Sequence, residues 1–170
     1  MSDNKINIKE LIQEYLLDEG ILREKLSNPK LEFGFLIAFP PGLNTGNKLN
    51  VFMPKNKDFI IISIGTQISQ EHANSLNSIG EKKMHFFMSL RKLFLSKNVY
   101  FRIDAQNNRF EISDQIFLKK NGSISKNSLY KGIRKVFNTA MYANTILQEY
   151  CMGKVSQDDF TSGSDFSLYT

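Results

Sequence analysis

The sequence has no tryptophan, one cysteine and four prolines in 170 residues. With Cys151 alone there is no pair for a disulfide and no thiolate set for a zinc site, which points to a reducing, intracellular setting. No long apolar stretch is present either. A membrane-spanning helix needs about 20 apolar residues, and the longest run, Phe59 to Ile64, is strand-length and contains Ser63. The opening MSDNKINIKE has no positively charged segment leading into an apolar one, so no leader is read and a cytoplasmic location with no membrane contact is expected.

Chemistry-bearing patterns are equally sparse. The two histidines, His72 and His85, fall on one predicted helix, where thirteen residues correspond to about 20 Å of rise. If that helix is continuous, the two cannot share a metal. The loop from Pro41 to Lys48 carries glycines and a lysine, but its spacing does not match GxxxxGK[ST], and it feeds a strand where phosphate cradling needs a helix N-terminus. Asp158 and Asp159 lie in a polar stretch without the fixed geometry that metal coordination requires. No acid–base pair, triad or cofactor fingerprint remains. The reading is a protein that is not an enzyme and uses neither cofactor nor metal.

What is present is a core. Apolar residues make up 41% of the chain, fourteen of them Phe, enough for one domain and short for two. That domain is expected over residues 1–152, followed by an acidic tail, 153–170, read as disordered. Charge is uneven. Residues 1–20 hold two Lys against five acids, residues 21–135 nineteen basic groups against eight acids, and residues 136–170 one Lys against four acids. A basic middle between acidic ends suits an anionic partner or a merely solvated lysine-rich surface.

Periodicity supplies the architecture. Asn7 and Glu10 resemble a capping box, and Ile8, Leu11, Ile12, Tyr15 and Leu16 share a helical stripe that Gly20 stops. Ile21 to Leu26 reads as either a short strand or another helical turn. Leu31, Phe33, Phe35, Ile37 and Phe39 alternate as a strand, Leu49, Val51 and Met53 as a second, and Phe59 to Gly65 as a third. From Ser69 to about Lys97 a three-and-four spacing predicts one long helix, with Gly80 marking close packing or a bend. A hairpin follows. Across an Asn107-Asn108 turn Ala105 is expected to pair with Phe110 and Ile103 with Ile112, leaving Tyr100, Arg102, Asp104, Arg109 and Glu111 on the other face. Ser125 then caps a final helix reaching about Cys151.

The predicted fold is therefore α+β, a twisted antiparallel sheet packed by helices in the order α-β-β-β-α-β-β-α. That order resembles the type III secretion chaperone-like fold. The segments LIQEYLLDEGILREKL, EFGFLIAFPPG, GTQIS and LRKLFLSKNVYFRID are similar to an uncharacterised archaeal family associated with that fold and with the bacterial YbjN-like proteins, over roughly residues 6–150. The resemblance implies pairing of subunits and nothing about chemistry.

One local cluster stands out. Lys119, Lys120, Lys126, Lys131, Arg134 and Lys135 bring six positive charges into seventeen residues with no acid among them and Tyr130 nearby. They form a candidate anion-binding patch. The leading functional expectation is a non-catalytic interaction module, chaperone-like or adaptor-like, that binds a protein or peptide. The alternative is a single-stranded nucleic-acid binder using the basic middle. A homodimer is expected because Leu36, Phe52, Ile60, Ile62, Ile64 and Phe117 fall opposite the main core stripe and would otherwise expose a large apolar face.

Overall fold

A computed structural model describes residues 7–42 and 46–153. The middle of the Pro41–Lys48 loop, and the tail beyond Gly153, lie outside the described residues. The elements are α1 (Ile8–Asp18), β1 (Leu22–Lys25), β2 (Leu31–Phe39), β3 (Asn47–Pro54), β4 (Phe59–Gln67), α2 (Gln70–Asn77), α3 (Lys82–Ser96), β5 (Tyr100–Asp104), β6 (Arg109–Phe117) and α4 (Lys126–Cys151).

Helix ends are set by local chemistry. Asn7 accepts the Glu10 N–H at 3.4 Å, and Ser125 accepts the Ser128 N–H at 3.1 Å. The exit of α1 is a Schellman motif, with Gly20 at φ +64° donating to the Leu17 carbonyl and Ile21 to the Leu16 carbonyl. Asn98, at φ +52°, repeats the device at the end of α3, where Val99 donates back to Phe94 and the chain turns straight into β5.

One open reading is resolved and one expectation needs correction. The ambiguous Ile21–Leu26 segment forms an edge strand, β1, so the sheet has six strands. The long helix is two helices, α2 and α3, because the chain bends at Gly80, whose φ is +22°. Lys82 closes that corner. Its side chain is buried and donates to the Ser75 carbonyl at 3.2 Å, placing a cation against the last turn of α2, where the helix dipole favours one.

The sheet order is β1-β2-β3-β4-β6-β5, with every neighbouring pair antiparallel. Register places Phe35, Val51, Ile62, Asp114 and their alternates on one face, and the helices cover it. α4 lies closest. Gly132 brings its backbone down so far that an added Cβ would sit 2.7 Å from the Cδ1 atoms of both Ile62 and Ile116. On the far side Phe94 of α3 meets the rings of Phe101 and Phe110, with centroids 5.4 and 5.7 Å away.

The strand parity assigned to β4 from the sequence is reversed. Ile60, Ile62 and Ile64 are buried beneath the helices, while Phe59, Ile61, Ser63 and Gly65 point to the open face. The β5–β6 register also differs by two residues. Ile103 pairs with Phe110 and Phe101 with Ile112, and the connection spans Ala105 to Asn108. A shift of two keeps every side chain on its expected face, whereas a shift of one would have exchanged them.

Candidate binding surface

The six cations of the sequence cluster do not act as one patch. Lys119 and Lys120 are exposed in the turn after β6. Lys131 and Arg134 are exposed on α4, one helical turn apart. The other two are taken up by acids distant in sequence. The Lys126 Nζ lies 3.2 Å from Asp18 and 2.9 Å from Glu19 at the end of α1, and the hydrogen bond with Glu19 is the main reason its pKa is raised above the ordinary lysine value. The Lys135 Nζ donates to Asp114 at 3.1 Å. Four cations remain free of ion pairs with described residues.

Tyr130, the aromatic next to that cluster, is not offered to a base. Its hydroxyl donates to the Tyr15 carbonyl at 3.0 Å, tying α4 to α1, and burial pushes the phenol up to about 12. The folded chain therefore keeps this proton at a pH where the unfolded chain has begun to lose it. The stabilisation is complete below pH 10 and is lost as pH rises from about 10 to 12. Tyr130→Phe is expected to lose about 1 kcal/mol at neutral pH with the hydrogen bond. Its stability should also fall less steeply than the parent's across that alkaline window, as urea titrations at stepped pH would record.

The larger feature is the open face of the sheet, which divides into two halves. At one end Phe52 stands beside Ile61 and Phe59 beside Phe117, with the last two rings edge-on at 5.5 Å. Phe117 is 64% exposed. Leu36 of β2 stands one diagonal step from Phe52, with Asn50 as its direct neighbour. At the other end Arg102 stands opposite Glu111, and Arg109 donates to Asp104 at 3.1 Å. Hydrogen bonds from Asn107, its side chain first and its backbone N–H second, hold the Asp104 carboxyl below the usual carboxylate range. The open face thus sets an apolar half beside a charged half.

β6 outruns β5. Its first five residues pair with β5, while Asp114 to Phe117 pair only with β4, so that stretch of backbone is open on one side among the described residues. Beside it lies a notch of about 430 Å³ flanked by Tyr100, Phe117 and Lys135. Tyr100 is 57% exposed. Sequence reasoning missed Phe59, Ile61 and this open edge. The alternation of Ser63 and Gly65 with apolar neighbours was the available signal for the first two, and strand-length mismatch leaves none for the third.

The histidines lie on different helices, His72 on α2 and His85 on α3, where the His85 Nε2 is 3.6 Å from the Glu81 carboxylate. The Cys151 thiol points at the His72 carbonyl, 3.9 Å away. Among the described residues no three His, Cys, Asp or Glu side chains gather in a way that could hold a metal ion. Nor is any described helix long and apolar enough to cross a membrane.

A family model, described as "Uncharacterized conserved protein (DUF2299)", matches residues 8–147, the span from the start of α1 into the last turns of α4. The chain belongs to this family. A similar solved structure is the crystal structure of an uncharacterized protein from the archaeon Methanothermobacter thermautotrophicus. It is 25% identical, with a TM-score of 0.74, over 83% of this chain and 96% of that one. No curated protein matches. The matched region holds the whole sheet and all but the end of α4, so the open face lies on the part of the chain that the family model covers.

Proposed function

We propose that the chain is a non-catalytic interaction module that binds a protein or peptide partner and pairs with a second copy of itself. The observation that carries this reading is the apolar half of the open sheet face, Leu36, Phe52, Phe59, Ile61 and Phe117, with Phe117 64% exposed. The likeness to type III secretion chaperone-like folds, whose subunits pair, supports the same view, and the single thiol fits a cytoplasmic setting. The open backbone of Asp114 to Phe117 offers an extended peptide a strand to join, with Tyr100 and Phe117 as side-chain anchors. Single-strand binding has less support, because two of the six clustered cations are already paired and Tyr130 is committed to a carbonyl.

Light scattering at micromolar concentration tests the pairing. The expected mass is twice the 19.5 kDa of one chain, falling to 19.5 kDa in an Ile61→Arg, Phe117→Asp variant. A parent chain that stays at 19.5 kDa at every concentration refutes it.

A further inference from the structure

A second apolar surface lies away from the open sheet face and is independent of the reading above. α3 turns Phe87, Met84 and Met88 toward Ile103 of β5, forming a groove of about 700 Å³ along the sheet's outer edge. Met84 is 55% exposed and Met88 49% exposed. Lys83 and Arg91 line the same groove against one acid, Glu81, whose carboxylate lies 3.6 Å from the His85 Nε2. Methionine side chains are unbranched and polarizable, so such a surface moulds itself around aromatic guests.

The chain carries a segment suited to it. α4 ends against α2, where the Ser75 hydroxyl donates to the Cys151 carbonyl at 3.4 Å, and Asn77, two residues further along α2, already lines the groove. Gly153, the last described residue, follows Cys151 by two positions at that corner. Residues 154–170 contain Phe160, Phe166, Leu168 and Tyr169 interleaved with Asp158, Asp159 and Asp165, against a single Lys154. An extended chain advances about 3.3 Å per residue, so the seven residues from Lys154 to Phe160 reach roughly 23 Å, ample to round the α2–α3 corner. The cations of α4 are a poorer match. The exposed pair, Lys131 and Arg134, lies near the opposite end of a 26-residue helix, which at 1.5 Å per residue is about 39 Å long.

We propose that residues 154–170 fold back and occupy the α3–β5 groove, their aromatic rings against Met84, Met88 and Phe87 and their aspartates facing Lys83 and Arg91. The groove is then an internally blocked binding site, opened when a competing aromatic and acidic peptide displaces the tail.

The full chain, labelled at the methionine methyls, supplies the test. In a Phe160→Ala, Phe166→Ala, Tyr169→Ala variant, loss of the aromatic ring currents is expected to move the Met84 and Met88 methyl signals beyond their linewidth while those of Met53 and Met141 stay in place. None of the three substituted residues belongs to a described helix or strand. Separately, Lys83→Glu with Arg91→Glu is expected to speed chymotrypsin cleavage at Phe160 and Phe166 about tenfold, the factor corresponding to ~1.4 kcal/mol. Unmoved Met84 and Met88 signals overturn the proposal, as does cleavage that ignores the charge reversal. Methyl shifts that vanish on dilution overturn the intrachain form, because they assign the groove to the tail of a second copy.

Discussion

Phe94→Ala is expected to lower the stability of the fold by about 4 kcal/mol, the largest single loss anticipated from truncating one core side chain. The ring has no solvent exposure and touches Phe101 and Phe110, so it joins α3 to both strands of the β5–β6 hairpin. The Phe94 carbonyl also receives the Val99 N–H that turns the chain into β5. Removing the ring leaves a cavity whose walls belong to three elements with fixed spacing, so little collapse can compensate. Urea titration should show a lower midpoint with an unchanged slope. A loss below about 1 kcal/mol would mean that the hairpin is held by other contacts.

The second large effect is expected at Gly132. Alanine there gains about 1 kcal/mol of helix propensity, but its Cβ would lie 2.7 Å from Ile62 Cδ1 and Ile116 Cδ1. Those atoms are ends of side chains and can yield, so Gly132→Ala should be close to neutral. Gly132→Leu should not. Its further carbons have nowhere to go except between α4 and the sheet, and overpacking of that kind costs about 3 kcal/mol. Comparing the two substitutions separates the closeness of the helix from the flexibility of glycine. Equal stability of both variants would show that α4 can lift without penalty.

Much of this architecture was legible because the core is written in strong periods. Leu31 to Phe39 alternates cleanly, and β2 has the predicted limits. Ser125 and Asn7 announced the two helix starts that they cap. Where the signal failed, it failed for a physical reason. β4 reads FIIISIG, apolar at almost every position, so alternation could not reveal which face was inward. Only the small residues Ser63 and Gly65, which tolerate the open face, carried the parity. The break at Gly80 was hidden because α2 and α3 bury stripes of similar spacing, and one glycine reads equally as a bend or a close contact.

The candidate surface was harder to read than the fold. Lys126 and Lys135 look free in sequence because their partners, Glu19 and Asp114, arrive through tertiary structure. Leu36, Phe52 and Phe117 were expected on the open face and stand there. Their company was misassigned, since Phe59 and Ile61 join them while the three buried isoleucines do not.

The sheet order has one more consequence. β6 comes last in the chain but is inserted between β4 and β5, so β5 is bonded to the sheet through β6 alone. The first four strands form a meander of neighbours in sequence and can be assembled as they leave the ribosome. The sheet cannot be completed until the excursion from Ile68 to Asn108 has been closed by pairing β6 with β4, a non-local step whose entropy is spent before its contacts are made. α4 needs Ile62 from the early meander and Ile116 from the late strand to be side by side before Gly132 can settle on them. During synthesis the nascent chain therefore holds an unfinished sheet with the unpaired edge of β4 exposed, and the final helix closes over that sheet only after the hairpin has arrived.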